Sequence, residues 1–507
     1  MCPGYTEKVE FVYFFHFAGE ETNLSQASET KLSFIEQTKR LSWPFWVVNI
    51  MEMIERLAYY GVRVVIPIYI AQADEPLGLH FTQEQKGLIF LIWAVVQSFL
   101  PVFTGGFADR YGYKKQIVAA VIIKAAGYTL MATMRDFTMF TLGCVLLAAG
   151  TAIFKPPIQG TMVKSLNKDN SGVGWGFFYQ IVNIGGFLGP PFAHYMLGWG
   201  WDMVFYGCAV MVSLNLLWLL TYKGVESGAD QTTDVWHVIA TTAKSIWNYK
   251  LILFILIASA FWAAFMQLFD MLPNYIVDWV NSSSLAVHLP EFLLARNSNM
   301  GPQLAQEWII NFNPLLIIFF VPFISAFVNK YMRRLTSIMI GFTLASLGVL
   351  VAGWTMSIYI VFMGITMFSF GEMLCSPKMH EYLGVIAPDD KKALFMGYAN
   401  IPVGIGWGFG ALFGGQLYGN YGEKAALALK YLQDTAGVAA AQLPERNQAF
   451  EVLMQQTGMS ATDATRMLFE TYNPSVVWWP FAAMGIFSAV MLSVYNHYAK
   501  KWEDANA

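Results

Sequence analysis

Charged side chains capable of proton and ion-pair chemistry lie inside one long apolar stretch near the start of the chain. The run from Trp43 to Ile70 contains Glu52, Glu55, Arg56 and Arg63. A bilayer is crossed by about 20 residues, and a charge at its centre costs roughly 2.5–3.5 kcal/mol, so these four require about 10 kcal/mol of compensation. At about 100° per residue, Glu52, Arg56 and Arg63 share one stripe of a helix. This pattern predicts a helix whose charged face meets protein or a wet cavity.

Such a charged stripe has two interpretations. It could be a buried ion-pair network that only holds helices together, or it could line a pathway for a charged substrate that includes a proton relay. We favour the second. Lys124, in the third apolar span, is explained by neither. Near the end of the tenth span lie Lys378, His380 and Glu381. We interpret them as a solvated helix end, with an ion pair that gates the cytoplasmic side as the alternative.

The composition is typical of a protein that crosses a membrane many times. Of its 507 residues, 56% are hydrophobic and 13% are charged, whereas soluble domains carry about 25% charged residues. The net charge of −3 and the lack of a basic tract argue against a nucleic-acid partner. Cys144, Cys208 and Cys375 lie in apolar spans and are interpreted as small core residues. We therefore expect a surrounding lipid bilayer, and no metal or other cofactor.

Twelve apolar spans follow one another in two groups of six. The first group covers about 43–70, 86–108, 116–134, 137–163, 173–197 and 202–222, and the second about 251–280, 308–329, 336–354, 357–386, 393–420 and 476–498. We predict an all-α membrane protein with an N-terminal six-helix bundle at 43–222 and a C-terminal six-helix bundle at 250–499. Two such bundles can rock about a substrate site near the bilayer midplane.

Positive residues in the short loops predict the orientation. Lys and Arg concentrate in the loops on the side of the N-terminus, whereas the short loops on the other side contain only Lys86, Arg135 and Arg296. The positive-inside rule then places both termini in the cytoplasm. We expect the membrane to be the plasma (inner) membrane.

Four segments lie outside the spans. Residues 1–42 and 500–507 are predicted cytoplasmic tails, and 223–249 is a predicted cytoplasmic linker in which 235–247 could lie on the membrane surface. Residues 421–475 form a long extracytoplasmic loop with helical patterns. We expect this loop to be a passive decoration, with a cap over the outer mouth as the alternative.

The energy source follows from a missing motif and from the buried acids. No phosphate-cradling GxxxxGK[ST] sequence occurs in the chain, which argues against ATP as the driver. An ion gradient or the gradient of the substrate itself must then supply the energy. Carboxylates within the first span favour the proton as the coupling ion.

A glycine-rich, basic segment, Gly105–Lys115, follows the second span. Its glycines permit close helix approach and a turn, and Asp109 can hold a helix N-terminus or a basic partner. The segment resembles the G-x-x-x-D-[RK]-x-G-x-[RK]-[RK] signature of the major facilitator superfamily. The resemblance implies that superfamily's fold and a gating contact at Asp109 and Arg110, whose basic neighbours also set the topology.

Further landmarks resemble one family within that superfamily. Glu52–Gly61 resembles the E-x-x-E-R-F-x-Y-Y-G signature of proton-dependent oligopeptide transporters, with Leu57 in place of Phe. Gly150–Pro156 is similar to the family's G-T-G-x-x-K-P, with Ala152 in place of Gly, and Phe177–Asn183 is similar to its F-Y-x-x-I-N pattern. Matches later in the chain are Asn313-Pro314 in the eighth span, and Glu372 and Ser376-Pro377 in the tenth.

The resemblance implies which residues bind the two ends of a short peptide. The carboxylate end would be held by Arg63, Tyr69 and Lys155. The amino end would be held by Asn183, Asn313 and Glu372. Cations on the first bundle and a carboxylate on the second would match a zwitterion. The bland alternative for the two asparagines is hydrogen bonding between helices.

The resemblance also implies a proton-coupling group. Glu52, Glu55 and Arg56 would couple proton movement to Lys155, because protonating a carboxylate changes which groups pair. Lys155 could instead be a structural partner of Glu55.

One departure from the family pattern concerns the seventh span. Phe261–Gln267 resembles the family's F-W-x-x-x-x-Q, but the residue before the glutamine is commonly acidic there, and here it is Met266. Asp270 lies one turn further on. We hypothesise that Asp270 replaces the missing proton-linked or gating carboxylate.

These observations together predict a transporter and not an enzyme. We expect proton-coupled symport of di- and tripeptides by alternating access. The alternatives are a relative that carries nitrate, an amino-acid conjugate or a drug, and a nutrient receptor that no longer transports. Peptide preference, proton stoichiometry and any oligomeric partner are not determined by the sequence.

Overall fold

The computed structural model describes residues 33–167, 169–224, 247–386 and 398–499. Spans 1 to 6 form the N-terminal half; they are Trp43–Ala71, Gln83–Tyr111, Tyr113–Thr133, Phe137–Lys164, Ser171–Met196 and Trp201–Ser213, the last continued by Asn215–Trp218. A short helix, Phe34–Lys39, precedes them. The predicted linker helix at 235–247 and the tail at 500–507 lie outside the described residues, apart from residue 247.

Spans 7 to 12 form the C-terminal half, in which two spans are interrupted. Span 7 is Tyr249–Phe265, Gln267–Asp270 and Leu272–Trp279, and span 8 is Gln306–Ile310 and Phe312–Tyr331. Spans 9 to 12 are Arg334–Ala352, Ile358–Ile386, Asn400–Tyr421 and Trp479–Ala499. The prediction of twelve spans in two groups of six is confirmed, and the seventh and eighth spans are each interrupted by short breaks.

An insert between spans 11 and 12 carries three helices, Lys424–Asp434, Ala449–Thr457 and Ala461–Tyr472. It lies at the same end of the molecule as the loop 72–82 between spans 1 and 2, because Arg446 of the insert contacts His80 and Phe81 of that loop. We call this the distal end. It is the end that the sequence predicts to be extracytoplasmic.

Local sequence signals start several of these helices. Thr82 and Gln85 form a reciprocal capping box at the start of span 2, and the Asp136 side chain accepts a hydrogen bond from the Met139 amide at the start of span 4. In the described part of the chain, eight helices are long and apolar enough to cross a membrane. Span 1 is not among them because of its four charged residues, and span 11 is rich in glycine.

Small residues let the two halves approach each other closely. Gly87 of span 2 lies against Ala411 and Gly415 of span 11, and a Cβ atom on Gly87 would come within 2.6 Å of the Ala411 carbonyl oxygen. Any larger residue at position 87 would push the halves apart, since backbone cannot give way as a flexible side chain can. Spans 2 and 11 therefore form a tight seam between the halves.

Candidate functional site

The charges of span 1 form a buried cluster together with a lysine from span 3. Arg56 Nε donates to Glu55 Oε2 at 2.5 Å and lies 3.2 Å from Glu52 Oε1. The other oxygen of Glu55 is paired with the Lys124 ammonium. Glu55 and Lys124 are completely buried. The charged stripe therefore faces protein, as the sequence predicts, and Lys124 finds its explanation as the partner of Glu55.

Lys155 of span 4 is near this cluster but is not the direct partner of Glu55. Glu52 and Glu55 attract it electrostatically and Arg56 repels it, without an ion pair at contact distance among the described residues. The charge of Lys155 also acts on His380 of span 10, in the other half. The alternative of Lys155 as a structural partner of Glu55 is therefore not what the structure has.

Arg63 and Asp270 form an ion pair between the two halves. The Arg63 guanidinium is bound to Asp270 of span 7, and both side chains are almost fully buried. The Trp407 indole of span 11 donates to the other oxygen of Asp270 at 2.9 Å, and the guanidinium also lies over that ring. The structure thus places Asp270 opposite a cation of span 1. In this conformation Arg63 holds Asp270 and is not free for a carboxylate.

A break in span 7 supplies a second acceptor for Arg63. Pro273 has no N–H and therefore cannot bond the carbonyl of Phe269, four residues earlier. Arg63 Nη1 donates to that carbonyl at 3.1 Å. In a membrane, where water cannot satisfy a freed carbonyl, an arginine from the other half does so.

The same device recurs at two further contacts between the halves. Pro322 frees the carbonyl of Ile318 in span 8, which accepts from Gln180 of span 5 at 3.3 Å. Pro191 likewise frees the carbonyl of Phe187 in span 5, which accepts from Asn311 at 2.9 Å. Prolines inside the spans thus create sites where one half binds the backbone of the other.

Glu372 and Asn313 lie together in the C-terminal half. The Asn313 side-chain amide donates to Glu372 Oε2 and to the Ser369 hydroxyl, both at 3.0 Å. Among described residues no cation pairs with Glu372. Tyr60 and Tyr179, both on the N-terminal half, sense its charge. Glu372 therefore lies near two tyrosines of the other half.

The remaining predicted substrate residues are placed differently. Asn183 donates to the carbonyl of Tyr179 on its own helix at 2.8 Å. The ring of Tyr69 packs among Phe140, Trp201 and Phe205 inside the N-terminal half. The structure does not bring Tyr69 to the central charged groups, and this enclosed ring favours packing over ligand binding.

The expected gates at the other end of the molecule receive little support. The side chain of Asp109 lies outside the described part, and Arg110 is exposed and lies over its neighbour Tyr111. Glu381 pairs with Arg334 and Lys378, all within the C-terminal half. Hence Lys378 and Glu381 do not form a gate between halves in this conformation, and instead brace spans 9 and 10.

The distal end is closed by a buried polar network. Lys86 of span 2 donates to Asn274 of span 7 at 2.7 Å, and Asn274 donates to Gln72 at 3.1 Å. Gln72 donates to Asp278 Oδ1, and the Tyr418 hydroxyl donates to Asp278 Oδ2. These five side chains come from four elements, namely span 2, span 7, span 11 and the loop 72–82, and so they join the two halves. Such a network rigidifies the closed end, because each buried group depends on the others for its hydrogen bonds.

The insert takes part in this closure through Arg446. Arg446 Nη2 donates to the carbonyl of Ala71 at 2.6 Å, and Nη1 reaches the carbonyls of His80 and Phe81 at 3.2 Å. Burial acts to lower the pKa of Arg446, but its hydrogen bonds and ion pair with Glu423 outweigh burial and raise that pKa. The expectation of a passive decoration was wrong: the insert binds the N-terminal half, as a cap would.

We expect Arg446→Ala to loosen the distal end, because it removes three main-chain contacts across the halves. A cysteine at Val277, which packs against the core of the other half, reports opening through its reaction with an impermeant maleimide. Labelling should accelerate about tenfold, since a few net hydrogen bonds are worth about 1–2 kcal/mol. Arg466→Ala, at an exposed arginine of the same insert, is the matched control. Equal rates for the two variants would contradict this role.

A second contact at the distal end is sensitive to pH. Glu75 of the loop 72–82 accepts from the Trp201 indole at 3.0 Å. Burial raises the pKa of Glu75, the Trp201 hydrogen bond lowers it, and the nearby carboxylates of Asp74 and Glu307 raise it, so that the pKa is about 7. Glu307 belongs to the C-terminal half and is paired with His194 of span 5 at 2.5 Å. Closure thus favours the protonated form of Glu75.

The sign of the resulting pH dependence follows from linkage. If opening returns Glu75 to its ordinary pKa of 4.5, its contribution to closure is complete below pH 4.5 and is lost as the pH rises towards 7. The Val277 cysteine should therefore react faster at pH 8 than at pH 5.5, after correction for maleimide chemistry. Glu75→Gln should flatten this difference. A pH dependence unchanged by Glu75→Gln would exclude this residue as its source.

The model of the Major Facilitator Superfamily matches residues 48–287 and 271–429. The chain belongs to the Major Facilitator Superfamily. Its expected fold, an all-α membrane protein of twelve spans in two six-helix bundles, is confirmed.

Curated relatives within the superfamily are similar over most of their length. Multidrug resistance protein MdtH of Proteus mirabilis is 22% identical over 390 residues, covering 76% of this chain and 89% of that protein. MdtH of Yersinia enterocolitica is 22% identical over 366 residues, covering 71% of this chain and 84% of that protein.

Solved structures with the same superfamily fold include POT family transporters. The POT family transporter PepTSo has a TM-score of 0.62 at 18% identity, covering 91% of this chain and 99% of that one. A POT family transporter in complex with a thioalcohol-conjugated peptide has a TM-score of 0.61 at 16% identity, covering 84% and 96%. Another, in complex with 5-aminolevulinic acid, has a TM-score of 0.60 at 16% identity, covering 85% and 96%.

Some site residues of this superfamily member were missed by sequence reasoning. Lys124 was noticed but not explained; the signal was available in Gly150, whose missing side chain makes room for the lysine stem on the facing helix. The pairs between halves at Lys86 and Asn274, and at His194 and Glu307, carry no local sequence pattern. They depend on which spans become neighbours.

Proposed function

We propose that this chain is a proton-coupled symporter that carries di- and tripeptides across the membrane by alternating access. The observation that carries the proposal is the separation of charge between the halves. Among the described residues, Lys155 on the N-terminal half and Glu372 on the C-terminal half have no direct ion-pair partner, and each interacts electrostatically with a residue of the opposite half. A zwitterion offers a carboxylate to the first and an ammonium to the second, so its binding draws the halves together.

Residues in the centre would supply the remaining contacts. Asn313 already holds Glu372 and would orient it towards a peptide ammonium. Asn183, which donates to the carbonyl of Tyr179, would contribute its side-chain amide to the binding of the peptide amino end. Arg63 would exchange Asp270 for the substrate carboxylate when the halves separate, which links substrate binding to the opening of the pair.

The proton enters this scheme through span 1. A carboxylate of the Glu52, Glu55 and Arg56 cluster would take a proton from the outer medium and release it inside. Its protonation changes the local charge next to Lys155, and so changes how strongly Lys155 attracts a substrate carboxylate. Asp270 would serve as the gating carboxylate that replaces the acid absent at Met266.

Several points support this proposal over other cargoes. The motif resemblance is to proton-dependent oligopeptide transporters, and POT family structures share the fold, one of them with a conjugated peptide bound. The drug alternative is favoured by the curated MdtH relatives, which are named for multidrug resistance. A lipophilic drug, however, gains nothing from two opposite charges in one cavity. We propose transport and not catalysis, in the plasma membrane, with both termini in the cytoplasm and the distal end outside.

The test is uptake by the purified chain in liposomes with an imposed pH gradient and labelled dialanine. We expect accumulation above the outside concentration only when the outside is acidic, and competition by excess mixed dipeptides. Accumulation that ignores the gradient would exclude proton coupling. Competition by lipophilic drugs but not by dipeptides would establish the drug alternative, and binding without any uptake would establish a receptor.

A further inference from the structure

Lys124 is a cation buried in span 3 that no part of the proposed transport scheme uses. Its side chain is completely inaccessible, and its ammonium is bound to Glu55. The facing helix makes room for it: a side chain at Gly150 would collide with the Cγ atom of Lys124. The ammonium lies 5.7 Å from the centre of the Phe154 ring. Span 4 is therefore shaped around this lysine.

The two glutamates of span 1 differ in how many cations they contact. Glu55 is bound by Lys124 through one oxygen and by Arg56 through the other. Among the residues that the structure describes, Glu52 forms an ion pair with Arg56 alone, at 3.2 Å through Oε1, and its buried Oε2 has no hydrogen-bond partner. Both oxygens of Glu55 are thus paired with cations, whereas one oxygen of Glu52 is unpaired among the described residues.

This difference decides which acid accepts a proton more readily. Protonating Glu55 would remove the anion shared by two buried cations and leave Lys124 without a counter-charge, which is among the costliest changes in a protein interior. Protonating Glu52 leaves both cations with Glu55. The free oxygen of Glu52 is also the one place in the cluster where a proton can be added without breaking a contact.

We propose that Lys124 is a positioning residue that keeps Glu55 ionised throughout the cycle, so that Glu52 carries the transported proton and Lys155 is left free for the substrate carboxylate. The proton binds Glu52 from the distal medium as an O–H bond and leaves to the opposite side when that bond breaks. This inference rests on the proposed function, because it assigns the proton of that symport to one atom group.

The other titratable groups around the pair do not change this balance. Tyr59 and Tyr60 of span 1, Tyr128 of span 3 and Cys208 of span 6 face the cluster. Phenols and thiols in ordinary surroundings stay neutral near pH 7. Lys155 of span 4 adds positive charge that acts more strongly on Glu52 than on Glu55, but among the described residues it forms no ion pair at contact distance with either, whereas Lys124 is bound directly to Glu55.

The test compares two transport modes in liposomes with labelled dialanine. Gradient-driven accumulation requires the proton to be carried, whereas counterflow at equal pH requires only exchange of substrate. We expect Glu52→Gln to lower accumulation at least about tenfold, with counterflow within about threefold of wild type and no longer dependent on pH. Glu52→Gln that still accumulates dialanine with a normal pH profile would overturn the proposal.

Variants of the pair itself test the role of Lys124. Lys124→Met should weaken accumulation, counterflow and thermal stability together, because it strands the Glu55 carboxylate. The double variant Lys124→Met with Glu55→Gln removes both charges, and we expect it to recover the thermal stability that Lys124→Met loses, because no carboxylate is left stranded beside position 124. Lys115→Met, an exposed lysine of the same helix, is the matched control.

Each outcome has one meaning. A Lys124→Met variant that is as stable as wild type and accumulates dialanine with a normal pH profile would overturn the positioning role of Lys124. Should the double variant fail to fold, the Glu52→Gln result decides alone. Wild-type protein that ignores the pH gradient, or that dipeptides do not inhibit, would instead refute the proposed function, and this shows before any variant is measured.

Discussion

Asp270→Asn is expected to abolish most gradient-driven uptake and to destabilise the protein. The substitution keeps the size of the side chain but leaves the Arg63 guanidinium, which is almost fully buried, without its counter-charge. Breaking one partner of a buried ion pair costs about 3–5 kcal/mol, which corresponds to a factor of at least about 100 in an equilibrium. We therefore expect uptake of dialanine to fall at least about tenfold.

The measurement should separate coupling from folding. Uptake against pH and the melting temperature are recorded for Asp270→Asn and for Asp202→Asn, an exposed aspartate at the start of span 6 that serves as the matched control. If Asp270 replaces the acid missing at Met266, the pH profile of uptake changes as well as its size. A normal profile in a stable variant would remove Asp270 from proton coupling and gating.

Charge deletion on both partners refines this prediction. Asp270→Asn combined with Arg63→Gln removes the buried pair as a neutral unit, so stability should recover while transport does not, because Arg63 is also needed for the substrate carboxylate. Recovery of transport in the double variant would mean that the pair only holds the halves together.

Glu372→Gln is expected to remove the preference for a free amino terminus. Uptake of labelled dialanine by the wild-type protein should be inhibited much more strongly by dialanine than by N-acetylated dialanine, which has no ammonium for Glu372. A charge-assisted interaction is worth about 1.5–3 kcal/mol, so the apparent affinity for dialanine should fall about 10- to 100-fold in the variant. Inhibition by the acetylated peptide should change little, because it never used that charge.

The control for this prediction is a second glutamate of the same helix. Glu381 pairs with Arg334 and Lys378 within the C-terminal half, and Glu381→Gln should leave the discrimination between the two peptides intact. Competition assays with both peptides on all three proteins provide the measurement. A variant at Glu372 that still prefers dialanine to the acetylated form would show that the ammonium binds elsewhere.

The amino-acid order alone determined the helices and the chemistry that they carry. Apolar runs long enough for a bilayer predicted all twelve spans, because a membrane leaves the backbone no other way to satisfy its hydrogen bonds. Glu52, Glu55 and Arg56 were recognisable as functional because buried charge is expensive and rarely kept without use. Glu372 stood out for the same reason.

The pairing of those charges was decided only by the tertiary structure. Arg63 pairs with Asp270 where span 7 breaks at Pro273 and where the Trp407 indole binds the same carboxylate. Beside Glu55 lies Lys124, although Lys155 could also have been its partner by sequence. The role of Arg446 depended on where a distant insert folds back. Hydrogen bonds and ion pairs act over a few ångströms, whereas these partners are tens to hundreds of residues apart in the chain. Which of them meet is therefore a property of helix packing, and local sequence does not contain it.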